Sequence, residues 1–215
     1  IWGMMRSVPG VVPGTASTRA YLASLASLIK KRALMLVIVV TALRSMGQSA
    51  VVIFLPIYLR EDLEYSAARV ALYISMGQVL GIGAQPVMGW LSDRVGRKAV
   101  LLPAVLSLGL LYVALRFADP GPQLVLTILA TGAFTYSLHA LFMAAAMDIA
   151  GGEVQSTVVS VIYGASFLGT ISPIFAGIIA DSFGNSEAFL YGGAVVVLSG
   201  VILGLVKLPR PAAGG

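Results

Sequence analysis

Six apolar runs, near residues 34–59, 69–91, 99–117, 123–147, 154–180 and 188–207, account for most of this chain. Each holds about twenty or more residues, the length a helix needs to cross a bilayer. The connections between them are short: Glu61-Asp62-Leu63-Glu64, a polar knot from Gly89 to Lys98, Ala118-Asp119-Pro120-Gly121-Pro122, Gly151-Gly152-Glu153 and Ser182-Phe183-Gly184-Asn185. The chain is 58% hydrophobic and 11% charged, whereas a soluble domain draws about a quarter of its residues from the charged set. It lacks the charge to cover itself in water. The expected fold is therefore all-α: a polytopic membrane protein with six transmembrane helices.

The net charge of +5 invites a nucleic-acid reading, and the placement of the cations rejects it. Apart from Arg44 and the two arginines of the leading tail, Lys and Arg sit at helix ends, not in a basic patch interleaved with aromatics. Arg6, Arg19, Lys30, Lys31, Arg32, Arg94, Arg97, Lys98, Lys207 and Arg210 fall on one side of the membrane, and Arg60, Arg69 and Arg116 on the other. The positive-inside rule then puts both termini in the cytoplasm. Residues 1–18 are rich in Gly, Pro, Ser and Thr and read as flexible. Residues 19–31 repeat apolar positions at helical spacing and end in Lys30-Lys31-Arg32, which fits an amphipathic helix on the cytoplasmic surface or the frayed start of the first span. The expected organisation is a cytoplasmic linker over 1–32, a six-helix bundle over 33–208 and a cytoplasmic tail over 209–215.

A repeat lies within the six spans. Gly81, Gly89, Asp93 and Gly96 recur 88 residues later as Gly169, Gly177, Asp181 and Gly184, with Pro86 and Pro173 one position out of register. Three spans separate the copies, so they point opposite ways through the membrane, a 3+3 inverted repeat of the kind secondary transporters use. The first copy ends in Gly89-Trp90-Leu91-Ser92-Asp93-Arg94-Val95-Gly96-Arg97-Lys98. This spelling resembles the loop signature joining the second and third helices in each half of major facilitator superfamily (MFS) transporters. The resemblance implies half of an MFS fold, and gating roles for the knot (Gly89, Asp93, Arg94, Gly96, Arg97, Lys98). It implies that Asp93 helps latch the cytoplasmic side and that Arg97 pairs with an acid ending the fourth helix, here Asp148. In the fifth span Gly164, Gly169, Pro173 and Gly177 form a small-residue face with a proline that weakens the helix. This looks like a hinge of the family's carboxyl half. Its likeness to the antiporter motif is loose, since Ser172-Pro173 stands in place of Gly-Pro.

Polar side chains concentrate in the first, second, fourth and fifth spans, which leaves the third and sixth as lipid-facing props. Arg44 lies about ten residues into its span, too deep to snorkel, and shares a helical face with Thr41 and Gln48. A charge at that depth costs at least about 2.5 kcal/mol unless paired or hydrated. No Asp or Glu lies mid-span to pair with it, so its partner is a substrate anion, water, backbone carbonyls or a carboxylate elsewhere. Arg44, Gln48, Gln78, Gln85, Tyr136 and His139 are the candidate solute and ion pathway, each with helix–helix packing as the plain alternative. His139 titrates near neutrality in its unperturbed state and suits a proton as coupling ion.

No metal-ligand cluster, nucleophile–base set or phosphate-binding loop is apparent, so neither cofactor, metal nor catalysis is expected. The expected function is secondary active transport of a small solute by alternating access, ion-coupled, with efflux favoured over uptake; the alternatives are a membrane scaffold or a membrane-embedded enzyme. The partners expected are the small-molecule substrate, a coupling proton, the bilayer of the cell (plasma or inner) membrane, and an amino-terminal six-helix half or a second copy to complete the cavity.

Overall fold

The computed structural model of this chain describes residues 32–150 and 155–206. The leading segment with its expected amphipathic helix over 19–31, the Gly151-Gly152-Glu153 connection and the tail over 209–215 lie outside the described residues.

The helices are α1 (Arg32–Glu61), α2 (Ala67–Val95), α3 (Arg97–Phe117), α4 (Pro122–Ala150), α5 (Gln155–Phe167), α6 (Ser172–Phe183) and α7 (Glu187–Leu205). A 3-10 turn, Leu168–Ile171, joins α5 to α6, and together they form one span from Thr157 to Phe183. Among the described residues there are thus six helical spans long and apolar enough to cross a membrane, and no strand.

Local chemistry sets the boundaries. Ser66 caps α2, its Oγ accepting from the Arg69 N–H at 3.3 Å. Pro122 opens α4 and Pro173 sits in the first turn of α6, where a missing N–H leaves no bond unmade. The Pro173 ring crowds the carbonyl four residues back, at Gly169, and the ladder tightens to 3-10 form there.

The polar knot is not the loop that its composition implies. α2 runs through Val95 and α3 begins at Arg97, so Gly96 alone interrupts them, at φ 102°. Glycine adopts that backbone without steric penalty. The Gly96 N–H closes the helix by donating to the Ser92 carbonyl at 3.1 Å. Gly184 does the same at the end of α6, with φ 106° and a bond to the Ala180 carbonyl at 2.7 Å.

These two glycines are repeat partners, and the packing repeats with them. α2 lies along α4 as the fifth span lies along α1; α7 packs on α1 as α3 packs on α4. A Cβ at Gly81 would come within 2.5 Å of the Gly132 carbonyl oxygen in α4, and one at Gly169 within 2.8 Å of the Ser45 carbonyl oxygen in α1. Exchanging the two triplets maps each contact onto its counterpart, which is the 3+3 inverted repeat in three dimensions.

Two expectations need correction. The small-residue face of the fifth span makes a close backbone approach at Gly169, as Gly81 does in the second, but not at Gly164, where nothing beyond its own helix lies within 4 Å of an added Cβ; Gly89 is equally open. Gly177 has only the Phe54 ring, at 3.9 Å. The third and sixth spans are also more than lipid-facing props. A Cβ at Gly193 would lie 2.9 Å from the Gly109 carbonyl, so α3 and α7 nest against each other while exposing Leu110, Leu198 and Val201 outward. The most exposed spans are the second and fifth, with Leu72, Val79, Ile82 and Val87 on one and Phe167, Ile174 and Ile178 on the other.

Candidate functional site

The four polar spans converge on a cavity of about 470 Å³. Arg44 and Gln48 reach it from α1, Gln85 from α2, Tyr136 and His139 from α4, and Ser166 from α5. Ser45, Ser49, Thr135 and Ala140 complete the lining, and α3 and α7 contribute none of it. Five of the six side chains expected along the pathway therefore meet in one place.

Gln78 does not join them. About two helical turns from Gln85, it lines a smaller pocket of about 80 Å³, bounded by apolar Val51, Val52, Leu55 and Ile128 and by Tyr112 and Thr131. Thr135 and Tyr136 border both spaces, so one wall of α4 runs from the polar cavity into the apolar pocket. Tyr112, from a span expected to carry little polar chemistry, anchors that wall through its hydroxyl, 2.9 Å from Thr135 Oγ1.

Arg44 lies near the middle of α1 and is only 2% exposed. One terminal nitrogen donates to Gln48 Oε1 and the other to Ser45 Oγ at 3.4 Å. The guanidinium carbon stands 5.4 Å from the Phe142 ring centroid, a cation–π contact that offsets part of the cost of burial. Nε has no hydrogen-bond partner. Among the described residues no Asp or Glu lines the cavity. Thr41, expected beside Arg44 and Gln48, instead spends its hydroxyl on the Val37 carbonyl at 2.8 Å and is fully buried.

His139 is half-buried, its ring 5.3 Å from that of Tyr163 and tilted by 50°. Sequence reasoning missed Ser45, Ser49 and Phe142. The serines give little signal because a serine in a span usually bonds its own backbone. Phe142 was findable, three residues after His139 on the same helical face. Among the described residues no group of three His, Cys, Asp or Glu side chains is placed to hold a metal.

The knot forms a second cluster at the end of the bundle. Arg97 Nε lies 2.8 Å from Asp148 Oδ2, the partner that the resemblance implies. Its Nη1 lies 2.5 Å from Asp93 Oδ1 and donates to Ser92 Oγ at 3.3 Å. Lys98 Nζ caps α7 by donating to the Gly204 and Val206 carbonyls at 2.6 and 2.7 Å. Arg94 stacks over Trp90 at 4.2 Å. Asp93, Arg97, Lys98 and Asp148 therefore tie four spans together. At the opposite end Arg116 Nε meets Glu187 Oε1 at 2.6 Å and joins α3 to α7.

Two inverted triplets of apolar helices around a polar cavity at mid-depth define an integral membrane protein with the repeat architecture that many transporter folds share. Residues 37–215 match the family model described as Major Facilitator Superfamily, and the chain belongs to that family of transporters. Among curated proteins it is similar to the "Multidrug resistance protein MdtG" of Proteus mirabilis (strain HI4320), 28% identical over 163 residues, which covers 73% of this chain and 40% of the relative. It is also similar to the "Bacillibactin exporter" of Bacillus subtilis (strain 168), 36% identical over 75 residues, covering 35% of this chain and 18% of the relative. The chain thus matches under half the length of these relatives.

Proposed function

We propose that this chain forms one wall of a secondary active transporter that moves a small solute by alternating access. The observation that carries the reading is the cavity itself: polar side chains from four spans meet midway along helices whose other faces are apolar. Polar groups at that depth face protein or a wet path. Efflux is favoured over uptake, because one relative is named an exporter and the other a multidrug resistance protein.

The remaining parts take complementary roles. The exposed apolar faces of the second and fifth spans accept a second six-helix unit, which closes the cavity from the other side. The chain then corresponds to a carboxyl-terminal half. The Asp93–Arg97–Asp148 cluster holds the knot end shut in one state and parts in the other. That end, with both termini, faces the cytoplasm of the cell membrane. His139 takes up the coupling proton.

The test is solute flux in proteoliposomes containing the intact protein, with an imposed proton gradient. The reading expects gradient-dependent movement of a dye or drug, lost in Gln48→Ala with Gln85→Ala. Gradient-independent leakage equal to that of empty liposomes, across a broad solute panel, would reject it.

A further inference from the structure

We infer that the solute seated in this cavity is an amphipathic organic anion, with its acid group held by Arg44. The inference rests on the transport reading and narrows it to a substrate class.

The electrostatic argument comes first. Arg44 is 2% exposed and carries a charge that stays on at any physiological pH. Two of its five N–H donors are engaged, by the neutral acceptors Gln48 and Ser45, and Nε is unpartnered. The Asp and Glu residues among the described ones lie at helix ends or in connections, and none borders the cavity. Neutral acceptors satisfy geometry without neutralising charge, so the site keeps a net positive potential in a low-dielectric setting. An oxyanion is the group that neutralises such a charge, and a guanidinium binds it with charge-assisted hydrogen bonds of fixed geometry.

Size and lining then separate an organic acid from a bare ion. About 470 Å³ is drug-sized room, far more than a halide or a free phosphate fills. The α4 wall leads through Thr135 and Tyr136 into the apolar pocket beside Val51, Leu55 and Ile128. A ligand with an acid at one end and an aromatic or aliphatic body at the other occupies both.

The test is binding to the intact protein, purified in a neutral detergent without added lipid, using 2-naphthoate as probe. Its neutral match is 2-naphthamide, and its cationic match is 2-naphthylmethylammonium. Loss of a charge-assisted bond corresponds to about a ten- to hundred-fold change in affinity. Naphthoate should therefore bind at least about ten-fold tighter than either match. Arg44→Gln should erase that preference, bringing naphthoate down to the affinity of naphthamide measured on the same variant. Arg44→Lys, which keeps the charge and loses the fork, should retain the preference at reduced size. Equal binding of all three probes by the wild type overturns the inference without any variant having to fold. So does wild-type naphthoate affinity in Arg44→Gln, or displacement of naphthoate by phosphatidylglycerol, which would assign Arg44 to a lipid headgroup. Transport is judged separately: neutral or cationic solutes moving in proteoliposomes while naphthoate fails to bind would sink the anion site and leave the transporter standing. Selective naphthoate binding with no flux of any solute would do the reverse.

Discussion

Arg44 shows how one residue reports on a site. A mid-span guanidinium survives in a membrane helix only if its surroundings compensate it, and here the compensation is partial: two neutral acceptors and the Phe142 face. Phe142→Ala removes the ring face while leaving every hydrogen bond of Arg44 in place. Melting of the purified protein should show a loss of about 3 kcal/mol or more, most of it from the cavity left in the core. Tyr112→Phe is a milder probe. It deletes the buried bond to Thr135 Oγ1 and should lower stability by about 1 kcal/mol, measured by thermal unfolding in detergent. His139 calls for a pH series, since free histidine titrates near 6.5. If it carries the coupling proton, the pH profile of flux loses a step in His139→Gln. A step of unchanged midpoint and height in that variant places the proton elsewhere.

At the scale of elements, small residues decide where helices touch. Gly169→Ala forces a methyl toward the Ser45 carbonyl, an atom that only a backbone shift can move. It should destabilise the bundle by about 1–3 kcal/mol. Gly177→Ala meets only the tip of Phe54 and gains helix propensity, so its melting temperature should hold or rise, by up to about 1 kcal/mol in stability. The ion pairs call for more restraint. Arg97 and Asp148 are partly exposed, with side chains 20% and 43% accessible, and screening limits such a pair to about 1 kcal/mol or less. Its proposed worth lies in choosing between two states. Arg97→Asp should impair flux, and adding Asp148→Arg should restore much of it while barely moving the melting temperature. A double variant no better than the single one removes the pair from the gate.

For the whole molecule, the cysteine-free sequence makes sidedness directly measurable by labelling. Ser182→Cys and Val95→Cys sit at exposed positions at opposite ends of the bundle. In intact cells an impermeant maleimide should label Ser182→Cys alone, and both after permeabilisation. Labelling only of Val95→Cys would invert the proposed topology. Much of this architecture was legible beforehand. The number of spans follows from hydropathy and length, because the bilayer imposes a single length scale on any helix that crosses it. The repeat was visible because glycine and aspartate recur at one spacing, and the depth of Arg44 needed only counting. Tertiary structure decided what pattern alone leaves open. It separated Gln78 from Gln85, though both are glutamines in one span. It showed that Gly96 is the whole connection between α2 and α3. It divided glycines of like sequence context into those that let helices meet and those that face empty space. The physical reason is that solvation in lipid acts on each segment by itself, whereas which faces meet depends on several helices at once.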